Sequence, residues 1–132
     1  MRCHDKQEVK ASKDNRSLYV DFTHVKQSKH AKVSCSQCHS EVNASSVRPC
    51  ETITQKVDCA SCHAEVGTQY QKSMHGQLTA KNDPNGPTCK ECHGEHTVKG
   101  KTDPTSPIFA TNIPNLCATC HREGQKAARK YS

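Results

Sequence analysis

The chain has 132 residues and a formal net charge of +6, and Leu, Ile, Val and Phe make up only 17 of them. That is about 13%, below the roughly 20% under which a charged polypeptide does not build a core of its own. Ten cysteines therefore raise the question of which metal, disulfide framework or covalent cofactor supplies the missing burial. The scattered lysines and five aromatic residues exclude a base-stacking platform, and with it nucleic acid as a partner.

No apolar run approaches the ~18 residues of a membrane span, and the opening MRCHDKQEVK lacks the hydrophobic stretch of an export signal. In chain order, Ser28-Lys29-His30 comes first, followed by Cys35-Ser-Gln-Cys38-His39 and Cys59-Ala-Ser-Cys62-His63. Residues 64–80 contain no proline and predict a helix carrying His75. Residues 83–87, Asp-Pro-Asn-Gly-Pro, predict a turn ahead of Cys89-Lys-Glu-Cys92-His93. Three prolines in residues 103–114 predict an extended loop leading into Cys117-Ala-Thr-Cys120-His121. Residues 122–131, which include Ala-Ala-Arg-Lys, predict a terminal helix.

Eight cysteines thus form four C-x-x-C pairs, each followed at once by histidine, which is the attachment signature of c-type haem. The spacing has a mechanical reason. One tight helical turn brings two thiols to the two vinyl groups of a porphyrin edge, and the next side chain points an imidazole at the iron. Cys35, Cys38, Cys59, Cys62, Cys89, Cys92, Cys117 and Cys120 are the expected attachment residues. His39, His63, His93 and His121 are the expected proximal ligands.

Zinc is the rival, because repeated C-x-x-C pairs also build tetrahedral sulfur sites, but zinc does not require histidine next. With 9 histidines in 132 residues, chance puts one there about 7% of the time, so four in four is an accident of roughly 2 in 100,000. A thioredoxin-like role is excluded by the absence of a strand–helix–strand pattern around any pair.

Each iron needs a second axial ligand, and His4, His24, His30, His75 and His96 lie outside the motifs. Methionine is scarce, Met74 adjoining the better candidate His75. Bis-histidine ligation is therefore expected to dominate, without the upward shift in potential that methionine brings. His96, three residues after His93, is too close in sequence to take the opposite face of the same iron. It is expected to bind a neighbouring haem.

The expected fold is mostly α-helical and irregular, with short helices and loops wrapped around a stack of covalent haems and little or no β-sheet. It is one domain, residues 1–132, with a weak duplication over 28–63 and 73–121. Successive motifs begin 24, 30 and 28 residues apart, so 33 residues serve each haem and the haems lie nearly in contact. Each haem with two propionates and two neutral ligands brings roughly −1 when ferric, so four lower +6 to about +2 oxidised and about −2 reduced.

Cys3 and Cys50 remain. Cys3-His4 reads as the tail of a fifth attachment motif whose first cysteine lies upstream, with residues 1–4 as its remnant. The alternative is a Cys3–Cys50 disulfide, which an oxidising compartment permits. The cofactor expectation is four haem c groups, or five if that remnant is functional.

The ordered set of motifs resembles the multihaem cytochromes c of anaerobic respiratory bacteria, in particular metal- and sulfur-reducing ones. The resemblance rests on the four attachment motifs with Ser28-Lys-His30-Ala, Tyr70-Gln-Lys-Ser-Met-His75-Gly, Pro87-Thr-Cys-Lys-Glu-Cys92-His93-Gly-Glu-His96 and Asn112-Ile-Pro-Asn-Leu-Cys117. It implies that His30, His75 and His96 are distal ligands. Such sequences often carry Pro-His-Glu where this chain has Pro49-Cys50-Glu51. The fourth distal ligand is then His24, the favoured reading, or His4 or the Cys50 thiolate, unless one iron stays open.

The expected function is electron relay in a periplasmic or extracellular compartment, by an exported carrier rather than an enzyme. By resemblance its source is a quinol-oxidising membrane cytochrome and its sink a terminal reductase or outer-surface cytochrome. Lysines of residues 126–130 are expected to steer docking. Two alternatives stand: a small multihaem reductase with an open haem, and a subunit of an oligomer or conducting cytochrome filament.

Overall fold

The computed structural model describes residues 4–11, 14–41 and 55–128. Ser34, Ser73 and Thr88 at helix starts, Pro114 in a first turn, and extended Ser28, Ser73 and Arg122 at helix ends help to cut this chain into short pieces. Among the described residues there are six α-helices: α1 (Phe22–Gln27), α2 (Cys35–Cys38), α3 (Ala64–Lys72), α4 (Met74–Ala80), α5 (Cys89–His93) and α6 (Ile113–His121). A 3₁₀ turn covers Cys59–Ser61. No strand forms among the described residues, where pairing is limited to an isolated antiparallel bridge between Lys10 and Ser17. The mostly helical and irregular architecture read from the sequence is the one observed. None of the described helices is long and apolar enough to cross a membrane.

The chain divides into two compact units, residues 1–58 and 59–132. In the first, Leu18 N–H donates to Val9 O at 2.9 Å and Val20 N–H to His4 O at 2.8 Å, so residues 4–11 and 14–20 lie side by side. Asp21 starts α1 by accepting from Thr23 N–H at 2.8 Å. The Thr23 N–H, and after it the charge of His24, hold the Asp21 carboxyl below its ordinary value. Ser28 closes α1, its Oγ–H donating to Val25 O at 2.7 Å.

In the second unit, the 64–80 helix is two helices. Ser73, at φ −75° and ψ 161°, ends α3 and begins α4. Its Oγ–H donates to Tyr70 O at 2.6 Å, and the same oxygen accepts from Gly76 N–H at 3.1 Å. Gly76 is buried, and a Cβ there would sit 2.0 Å from Tyr70 O, so only glycine lets α4 fold back this tightly on α3. Tyr70 clamps the joint: its Oη–H donates to Pro87 O at 2.6 Å and lies 2.7 Å from Thr79 Oγ1.

Two further expectations are corrected. Residues 103–114 are not extended. Successive turns run through Asp103, Ser106, Phe109 and Asn112, each N–H donating to the carbonyl three residues back, at 2.8–3.1 Å. Asn112 Nδ2 then donates to Pro104 O and Ser106 O, both at 2.9 Å, enclosing Ser106 completely. Pro114, counted with that loop, lies in the first turn of α6, where a missing N–H costs nothing. The terminal helix does not form over residues 122–128: Arg122 is extended at ψ 152° and Gly124 takes φ +81°, which ends α6 despite the good helix formers beyond. Residues 129–131 of that expectation lie outside the described residues.

Among the described residues the buried apolar side chains are Ala11 and Ala127. Large apolar residues are left exposed instead, Val66 at 61% and Met74 at 59%, with Val33, Val57 and Ile113 less so. The polypeptide is held by turns and caps more than by a packed interior.

Candidate haem-attachment motifs and axial histidines

All four C-x-x-C-H sequences lie on single helical turns. In the first, α2 spans both cysteines and His39 N–H donates to Cys35 O at 2.8 Å. In the second, the 3₁₀ turn does the same work, with His63 N–H to Cys59 O at 3.0 Å. The third is α5 itself, from Cys89 to His93, and the fourth is the last turn of α6, ending on His121. A bond from the histidine back to the first cysteine, or the helix that implies it, curls each pentapeptide so that two thiols and an imidazole share a short stretch of surface.

Two of these turns are too short to be stable by propensity and are fixed by capping boxes. Gln37 Oε1 accepts from Ser34 N–H at 2.8 Å and from Ser34 Oγ–H at 3.0 Å. Glu91 Oε2 accepts from Thr88 N–H at 2.6 Å and from the Thr88 hydroxyl. Burial works to raise the Glu91 pKa, but the Thr88 hydroxyl and the Thr88 N–H outweigh it and hold the carboxyl below its ordinary value. Ser34-x-x-Gln37 and Thr88-x-x-Glu91 are the sequence signals of these boxes, separate from the cysteine motifs they support.

None of the eight motif cysteines forms a disulfide. Cys35, Cys38, Cys59, Cys62 and Cys117 are exposed and Cys89, Cys92 and Cys120 half-buried. Burial first, then Cys117, the Glu91 carboxylate and Cys120, push the Cys92 thiol up.

The residues present fit covalent haem. Each motif offers two cysteine sulfurs and an imidazole on one turn, all of the cysteines exposed or half-buried, in a chain that leaves Val33, Val57, Val66 and Ile113 uncovered. Among the described residues no group of three or more His, Cys, Asp or Glu gathers as a tetrahedral metal site would require.

The remaining histidines occupy distinct settings. His30 follows the Ser28 joint, its N–H donating to Ser28 Oγ at 3.2 Å, and is half-buried. His96 is exposed beyond α5. His24 is exposed on α1, its Nδ1 3.8 Å from Asp21 Oδ2. His4 is held more firmly, Nδ1 lying 2.7 Å from Leu18 O. A carbonyl only accepts, so Nδ1 donates here, and Nε2 is the ring nitrogen left to face a metal. His75, in the first turn of α4, comes to His121 at the end of α6: the ring centroids are 6.1 Å apart and the planes 23° from parallel. Cys3 and Cys50 lie outside the described residues.

Residues 81–126 match the family model described as Doubled CXXCH motif, about a third of the chain. That stretch contains the third and fourth motifs and is similar to the haem-binding repeat of c-type cytochrome-like multihaem proteins. No curated protein and no solved structure matches the chain.

Proposed function

We propose that the chain is an electron-transfer protein, relaying electrons through four c-type haems, mainly bis-histidine and low-spin, in anaerobic respiration outside the cytoplasm. The observation that carries the reading is the four C-x-x-C-H sequences, every one on a helical turn. Haem held there supplies a one-electron ferric/ferrous couple.

The chain's own residues do the rest. Each motif cysteine would hold haem by a thioether, its S–H adding across one vinyl group with no net oxidation. His39, His63, His93 and His121 would be the proximal iron ligands, and His30, His75 and His96 distal ones. The fourth distal ligand is read from the sequence as His24; the backbone bond that orients His4 makes that imidazole its competitor. Histidine ligation and hydrogen bonding would set the potentials, and irons held by two histidines each would carry electrons without binding a substrate. A quinol-oxidising membrane cytochrome as donor and a terminal reductase or outer-surface cytochrome as acceptor fit this role.

The test is low-temperature electron paramagnetic resonance on the fully oxidised protein, with spins quantified against a haem count from intact mass. Four haems with low-spin ferric signals alone support the relay. A stoichiometric high-spin signal means an open iron and replaces the relay with a small reductase.

A further inference from the structure

We infer that His75 and His121 are the two axial ligands of one iron, that of the haem attached at Cys117 and Cys120. This rests on the electron-transfer reading and deepens it, because neither spacing nor motif says which distal histidine serves which haem.

The argument begins with distance. Two imidazoles that reach one metal from opposite sides, each with a metal–nitrogen bond of roughly 2 Å, keep their ring centroids about 6 Å apart. The observed separation is 6.1 Å. Aromatic pairs held by packing alone occupy a broad range of about 4.5–7 Å, so 6.1 Å suits packing as well as shared ligation, and the pairing rests also on how each histidine is placed.

His75 is positioned by three devices that touch no ligand. Ser73 starts α4 two residues earlier, Gly76 seats that helix against Tyr70 O, and Thr79 Oγ1 lies 3.0 Å from His75 O while bonded to Tyr70. Met74, the sulfur alternative, is 59% exposed. His121 is the last residue of α6, directly after Cys120, and its Nδ1 is shielded from solvent. His93 is much nearer in sequence to His75, but the His75 ring meets His121. The pairing therefore skips the adjacent motif.

The experiment is His75→Ala in the full holoprotein, followed by spin quantification and intact mass. The expected result is four haems still attached, loss of one quarter of the low-spin intensity and one high-spin haem that binds added imidazole. Combining it with Cys117→Ala/Cys120→Ala should lower the mass by one haem and abolish that high-spin signal. If His75→Ala does not accumulate, His75→Met serves: one couple shifts upward, and the shifted couple disappears in the cysteine variant. Low-spin signals unchanged in His75→Ala, or a high-spin signal or shifted couple that survives removal of the fourth attachment site, overturns the pairing. A wild-type protein with a high-spin haem or no haem breaks the relay reading instead, so the two failures are distinguishable.

Discussion

Ser28-Lys29-His30 and Ser73-Met74-His75 begin alike and end differently. Both serines close a helix with nearly the same backbone, φ −79° and ψ 165° against φ −75° and ψ 161°. Both donate from Oγ to the carbonyl three residues back, Val25 in one case and Tyr70 in the other. After Ser73 the chain starts another helix, whereas after Ser28 it runs through turns into α2. The residue after each histidine differs by one methyl group, Ala31 against Gly76. At Gly76 that methyl would meet Tyr70 O at 2.0 Å. One joint thus delivers histidine in two ways, and the second has room only for glycine behind it.

The strongest way to break the comparison is Gly76→Ala. The added Cβ should cost about 1–3 kcal/mol in denaturant unfolding and displace α4, turning one haem high-spin. Ala31→Gly, the reciprocal change, should cost under about 1 kcal/mol and leave the spectrum alone. Tyr70→Phe comes next, removing bonds to Pro87 and Thr79 that have no counterpart at Val25, for about 1–2 kcal/mol in the same assay. Ser73→Ala should cost about 1 kcal/mol as a lost helix cap, and Ser28→Ala, which starts no helix, roughly half that.

The smallest effect sharpens a parallel contrast, between the glutamine box of the first motif and the glutamate box of the third. Glu91 is held below its ordinary value of 4.5 in the folded chain. Its stabilisation is therefore fully present above 4.5 and lost as pH falls through the folded value. Gln37 does not titrate. Hydrogen exchange over residues 88–94 should accelerate in acid by an amount worth a few tenths of a kcal/mol, after screening at this exposed site. Glu91→Gln should abolish that sensitivity, and Gln37→Glu should confer it on residues 34–39.

The attachment turns were legible because five consecutive residues carry both the chemistry and the geometry. The break at Ser73 was legible too, in Ser-x-x-Gly, but the absence of proline from residues 64–80 favoured one long helix. Propensity misled at residues 122–128, where Arg122 and Gly124 override the helix formers that follow. Pro114 follows two loop prolines in the sequence and is grouped with them by composition, though the first helical turn is where proline belongs. The approach of His75 to His121 could not be read at all. It depends on how α4 and α6 come together, and no local pattern encodes that.

Among the described residues each unit buries a single apolar side chain, Ala11 in one and Ala127 in the other, which bears on the life of the chain in a cell. If the groups that complete the fold arrive from outside, maturation and folding are one event, and stability is a matter of supply. A chain released before loading would meet proteases as an open substrate. Its turnover would then report cofactor scarcity: half-life should shorten as haem export falls, with no folded, unloaded pool to buffer the loss.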